Sequence, residues 1–83
     1  MMKFNKEEID QLFIKLIADE QNLDPAQIAI DVEFYTYGLD SISAIHVLDK
    51  LEDQLGIEIN PLDFWDYPTI DQFSNYLLEK RLI

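Results

Sequence analysis

Residues 41–55 constrain the fold more than any other part of the chain. Ala44, Val47, Leu48, Leu51 and Leu55 recur three or four positions apart, the spacing of one helical face. Asp40 or Ser41 stands before them with the short oxygen-bearing side chain of an N-cap, and Gly56 follows, free to take the left-handed conformation that closes a helix. A helix with one apolar side needs other apolar faces to cover it, and three more segments supply them. Asn5 and Glu8 have the spacing of a capping box, and Ile9, Leu12, Phe13, Leu16 and Ile17 then predict a helix over Lys6–Asp19. "PLDFW" reads as a short helix with Pro61 in first position. Thr69 and Gln72 make a second capping box before Ile70, Phe73, Leu77 and Leu78, in a helix that ends near Lys80 and Arg81, whose charges suit a C-terminus. "IEIN" is extended in character but has no partner strand. The expectation is all-α: a four-helix bundle with one short helix and a long first loop.

That loop runs from Glu20 to Asp40. Asp24 before Pro25 starts a single helical turn through Ile28, and "IDVEFYTYGLD" after it is irregular. So long a connection in a small domain must be functional or anchored by its own side chains; Ile28, Val32 and Phe34 are the expected anchors, with Tyr35 and Tyr37 packing beside them. At 83 residues and 48% hydrophobic the chain is one compact domain, 1–83, with no internal repeat.

Charge narrows the range of partners. Asp and Glu number 17 against 6 Lys and Arg, a net charge of -11, so nucleic acid and anionic membranes are repelled while basic protein surfaces are attracted. There is no cysteine, hence no disulfide, no thiolate metal site and no thiol unless one is imported. No apolar run approaches the roughly 18 residues of a membrane span and no signal-type stretch follows Met1, so the expected location is cytoplasmic.

Ser41 is the one conspicuous nucleophile, yet the only histidine, His46, lies about 140° around the same helix, so the two side chains diverge. "GLDSI" also lacks the glycine two residues after the serine that a nucleophile elbow requires. His46 has no second histidine and no cysteine to join it, so no metal site is expected, and the chain is not expected to be an enzyme. Taken alone, Asp40-Ser41 is simply a helix cap.

Its surroundings point further. "YGLDSI" sits in mid-chain, after a long loop and at the start of a strong helix, in a small acidic helical protein. It resembles the acyl and peptidyl carrier protein family, in which the serine of a G-[LIA]-D-S-[ILVM] motif receives the 4′-phosphopantetheine arm of coenzyme A. "DVEFYTYGLDS", "LEDQLGIEI" and "YPTIDQFSNYL" resemble the family's approach to the motif, the close of its second helix and the start of its last, so the resemblance covers nearly the whole chain. It implies that Ser41 carries the arm, with Asp40 as its motif neighbour, and that acyl or aminoacyl intermediates travel as thioesters on it. The implied partners are a phosphopantetheinyl transferase, an acyl- or aminoacyl-loading enzyme and downstream synthase enzymes, all meeting a monomer. A phosphodiester on Ser41 would lie near unsatisfied N–H groups at a helix N-terminus.

With Ala44, Val47, Leu48, Leu51 and Leu55 facing inward, Ile42 and Ile45 face solvent beside Ser41 and make a candidate docking patch. Asp49, Glu52 and Asp53 continue near that face, where carriers often present carboxylates to basic enzymes. Ser43, about 200° from Ser41, is not an equivalent acceptor. Phe64, Trp65 and Tyr67 form an aromatic cluster that in this family borders the arm, although core packing is expected for most of it. "PTI" and the presence of Ser43, His46 and Lys50 look closer to carriers of polyketide or nonribosomal peptide biosynthesis than to those of fatty acid synthesis. A fatty acid carrier and an unmodified carrier-like interaction module are the alternatives. A free-standing protein and an excised domain with an added Met1 both fit, and no residue names the cargo or says whether the bundle sequesters it.

Overall fold

The computed structural model describes residues 4–80, so the expectation placed on Arg81 lies outside the described residues. The helices are α1 (Lys6–Gln21), α2 (Ser41–Leu55), α3 (Asp63–Asp66) and α4 (Ile70–Glu79), with 3-10 turns at Pro25–Gln27 and Phe34–Tyr37. Among the described residues none is long and apolar enough to cross a membrane.

α1, α2 and α4 each begin at a side-chain cap, and α3 at a turn without one. Asn5 Oδ1 accepts from the Glu8 N–H at 2.8 Å and the Asn5 N–H donates back to Glu8 Oε1 at 3.0 Å, a complete capping box. α1 runs two residues past the expected end, to Gln21, because Asn22 takes the left-handed conformation (φ 57°) that closes it. Gly56, at φ 70°, closes α2, and its N–H donates to the Glu52 carbonyl at 2.8 Å. α3 is shorter than "PLDFW" suggests: Pro61 and Leu62 form a turn in which Asn60 Oδ1 accepts from the Leu62 N–H at 3.0 Å, and the helix starts at Asp63. At α4 only half of the expected box forms. Thr69 Oγ1 accepts from the Gln72 N–H at 3.1 Å, but the Gln72 side chain takes the Thr69 hydroxyl instead of the Thr69 N–H.

α1 lies against both α2 and α4. Ile9, Phe13 and Ile17 of α1 meet Val47 and Leu51 of α2 and Ile70, Phe73 and Leu77 of α4 in a fully buried core. Lys6 ties α1 to α4 at the edge of this interface, its Nζ standing 2.8 Å from Asp10 Oδ2 and 2.6 Å from Asp71 Oδ1. Asp10 is buried on the apolar face of α1, so the Lys6 charge beside it offsets the cost of its desolvation.

The long loop is part of this core. Phe34 is 2% exposed and stacks on Phe64 with ring centroids 4.2 Å apart. Ile28 and Leu39 are buried, and Val32 is half-buried. Backbone bonds hold the loop against the start of α4: Phe34 N–H to the Pro68 carbonyl and Asp71 N–H to the Ile30 carbonyl, both 2.9 Å, beside an isolated bridge between Glu33 and Thr69. Tyr37 packs as expected, but Tyr35 is 67% exposed, because the 3-10 turn that buries Phe34 points the next side chain outward. Most of the aromatic cluster packs as expected, Phe64 buried and Tyr67 against the core, while Trp65 is 63% exposed.

Candidate functional site

The start of α2 separates two roles that adjoin in the sequence. Asp40 is the N-cap: its Oδ1 accepts from the N–H groups of Ile42 at 3.0 Å and Ser43 at 2.8 Å. Ser43 completes the box, its Oγ accepting from the Asp40 N–H at 2.9 Å and standing 3.0 Å from Asp40 Oδ1. Ser41 is the first residue of the helix, is exposed, and takes no part in the cap. Its hydroxyl is left to solvent, while the hydroxyl of Ser43 is engaged.

This geometry corrects one expectation about charge. The Ile42 and Ser43 N–H groups already bond to Asp40, and the Ala44 N–H donates to the Asp40 carbonyl at 2.9 Å. The first turn of α2 therefore has few free donors for an anion at Ser41, and a carboxylate stands beside it.

The Ser43 N–H, and after it the Ser43 hydroxyl, hold the Asp40 carboxyl below the usual carboxylate range. The sign follows from linkage: a lowered folded value makes the cap effective above the unfolded carboxyl's pKa and removes it as pH falls through the folded one. The Ile42 and Ser43 amide resonances are therefore expected to titrate together in acid as the first turn of α2 loosens, and Asp40→Asn should abolish that titration. NMR over an acid pH series checks this.

Around Ser41 the surface is apolar. Ile42 is 66% and Ile45 44% exposed, with Leu62 and Trp65 exposed as well. A cleft of about 60 Å³ beside Ser41 is lined by Ala44, Ile45, Leu48, Phe64 and Trp65. A second cleft, of about 210 Å³, shares Phe64 and Trp65 and extends to Leu39, Tyr35 and Glu33. α2 thus supplies one wall of the cleft beside Ser41 and α3 the other, while the buried Leu39, which sequence reasoning overlooked, lines the second cleft.

The acidic residues of α2 divide. Asp49 and Asp53 are exposed, but Glu52 is half-buried and its Oε2 accepts from the Ile59 N–H at 2.6 Å. "IEIN" returns along the end of α2 without a strand to pair with, and Glu52 satisfies one of its backbone donors. Glu52→Ala is expected to cost about 1–3 kcal/mol, because that donor loses a charged acceptor in a partly buried place, whereas Asp53→Ala should stay within about 0.5 kcal/mol. Urea unfolding of the two variants compares them. His46 and Lys50 lie on the α1 side: His46 Nδ1 is 3.2 Å from Glu20 Oε2 and Lys50 Nζ 4.0 Å from Glu20 Oε1. They link α2 to α1 and do not face Ser41.

Comparison with known proteins identifies the family of the chain. The family model described as a phosphopantetheine attachment site matches residues 11–77. The conidial pigment polyketide synthase of Aspergillus fumigatus is 33% identical over 67 residues, 81% of this chain and 3% of that protein. Polyketide synthase PksL of Bacillus subtilis is 32% identical over 74 residues, 89% of this chain and 2% of that protein. The chain thus spans only a small fraction of these curated relatives. Among solved structures, a free-standing peptidyl carrier protein from an uncharacterised secondary metabolic pathway of Acinetobacter baumannii superposes with a TM-score of 0.85 at 38% identity, covering 93% of this chain and 96% of that one. An acyl carrier protein of Anabaena with a variant phosphopantetheinylation-site sequence gives 0.83 at 34% identity, covering 96% and 91%. A match over most of the chain, together with the same fold at these identities, places it: the chain belongs to the phosphopantetheine attachment family and is a carrier-protein domain.

Proposed function

We propose that Ser41 is the residue to which 4′-phosphopantetheine is attached, and that the domain carries acyl or aminoacyl groups in polyketide or nonribosomal peptide biosynthesis. The observation that carries the first part is the division of labour at the start of α2: Asp40 and Ser43 build the cap, and the exposed Ser41 is free to be modified. The polyketide synthases among its relatives and the peptidyl carrier among its structural neighbours support the second.

When bound, the arm supplies the thiol that a chain without cysteine lacks. The chain's own residues do the rest. The capped first turn holds Ser41 at one place on a rigid helix, and Ile42 and Ile45 offer apolar contact on either side of it. Asp49 and Asp53 extend a negative field that steers basic partner enzymes, a transferase first and loading and synthase enzymes after it. On this reading the domain contributes address and reach, and catalysis is left to its partners.

The experiment has two stages. The chain is incubated with coenzyme A and a promiscuous phosphopantetheinyl transferase, and the product is offered in parallel to an amino-acid-activating enzyme, a polyketide extender-loading enzyme and a fatty acid malonyl transferase. Intact mass reads both stages. Gain of one arm followed by loading from either of the first two enzymes is the expected result. An unchanged mass at the first stage, with an active transferase control, overturns the carrier role, and loading by the fatty acid enzyme alone overturns the pathway.

A further inference from the structure

We propose that Gln21, the last residue of α1, is a positioning residue for modification at Ser41, acting through the backbone of the turn that precedes it. The inference rests on Ser41 being the attachment residue.

Gln21 is distant from Ser41 in sequence and belongs to neither the cap nor the apolar surface. Its half-buried side chain reaches across from α1, and its Nε2 donates to the Tyr37 carbonyl at 2.9 Å. Tyr37 is held at its other end as well: the Ala29 N–H donates to its hydroxyl oxygen at 2.8 Å, and the hydroxyl stands 3.2 Å from the Ala29 carbonyl. Gly38 follows at φ 80°, its N–H donating to the Tyr35 carbonyl at 2.9 Å. A Cβ on Gly38 would lie 3.2 Å from Gln21 Nε2, so this turn is seated directly on the amide that holds it. Leu39 is then buried, and Asp40 caps α2.

The path into Ser41 therefore has three fixed points: the Tyr37 carbonyl, the Leu39 side chain and the Asp40 cap. The last two are anchored within the loop's own packing and α2, while Gln21 brings the frame of α1 to bear on the turn. An enzyme that must align one hydroxyl with a phosphoanhydride gains from a serine already held in place. Where only a fraction of the chain is competent, the apparent affinity falls by that fraction while the rate at saturation is retained. Loss of the Gln21 bond should therefore appear in KM for the chain and leave kcat unaffected.

The test uses the full chain in three variants: Gln21→Met, of similar length without a donor; Gln21→Glu, which turns an acceptor toward the Tyr37 carbonyl; and Gln21→Lys, which retains a donor. The measurements are KM and kcat for phosphopantetheine transfer, hydrogen exchange at the Gly38 amide, and thermal unfolding. Gln21→Met and Gln21→Glu are expected to raise KM about fivefold, with kcat within about twofold of wild type. Exchange at Gly38 should quicken in both, and Gln21→Lys should bring both readouts back toward wild type. A wild-type chain loaded on Ser41, with KM and Gly38 exchange unchanged in Gln21→Met and Gln21→Glu, overturns this inference alone. A rise in KM that tracks lowered thermal stability and is not rescued by Gln21→Lys overturns it too. A wild-type chain that takes the arm elsewhere overturns the reading of Ser41, and this inference with it.

Discussion

Phe34→Ala is expected to lower the unfolding free energy by about 3–5 kcal/mol, the cost of removing a large aromatic from a core that collapses only in part. That is a severe loss for a small domain, whose total stability is on the order of 5–15 kcal/mol. Phe34 belongs to a loop, yet it is 2% exposed and joins elements otherwise far apart in the chain. Its ring stacks on Phe64 of α3 at 4.2 Å and on Phe13 of α1 at 5.7 Å, and meets Phe73 of α4 edge-on at 6.3 Å. No other residue of the long loop touches three helices through aromatic contacts, so the cavity would open where α1, α3 and α4 converge. The neighbouring Tyr35 is the control: at 67% exposure its replacement by Ala should change stability by no more than about 0.5 kcal/mol. Urea unfolding followed by circular dichroism compares them. A loss below about 1.5 kcal/mol for Phe34→Ala would show that the loop is laid over the core and is not part of it.

The contrast between Phe34 and Tyr35 also shows how far the sequence could be read. Helices with several turns of apolar periodicity were legible: α2 has five inward residues, a cap and a closing glycine, and each of these signals implies the same phase. Where an element is a single turn, periodicity has nothing to repeat. Tyr35 and Trp65 sit on such turns, and which of two adjacent aromatics is buried was decided by contacts with other segments. The end of α1 was misplaced for a related reason, since Asn22 in the left-handed conformation is a weaker signal than glycine.

At the site, "YGLDSI" led to the family and its fold. The roles of its neighbours were harder to read. Ser43 looked only like a serine on the wrong side of the helix, although Asp-x-x-Ser at a helix start is the spacing of a reciprocal cap. Glu52 looked like one more surface charge, because helical phase does not reveal that residues 57–60 fold back to place the Ile59 N–H against it. Gln21 carried no signal, as its bond to the Tyr37 carbonyl depends on how the loop returns to α1.

On the proposed reading, Ser41 and Ser43, two serines on one helical turn, have different duties. Ser41→Ala removes an exposed hydroxyl outside the cap, so the fold should be kept within about 0.5 kcal/mol. Ser43→Ala removes the group that accepts from the Asp40 N–H at 2.9 Å, and should cost about 1 kcal/mol while leaving the acceptor site intact. Stability and modification are thus expected to move in opposite directions between the two variants, which separates a chemical role from a structural one. The deciding measurement is intact mass after incubation of wild type, Ser41→Ala and Ser43→Ala with coenzyme A and a phosphopantetheinyl transferase. Wild type and Ser43→Ala should each gain one phosphopantetheine and Ser41→Ala none; a Ser41→Ala chain that still gains the arm, or a wild type that never does, would overturn the assignment of Ser41.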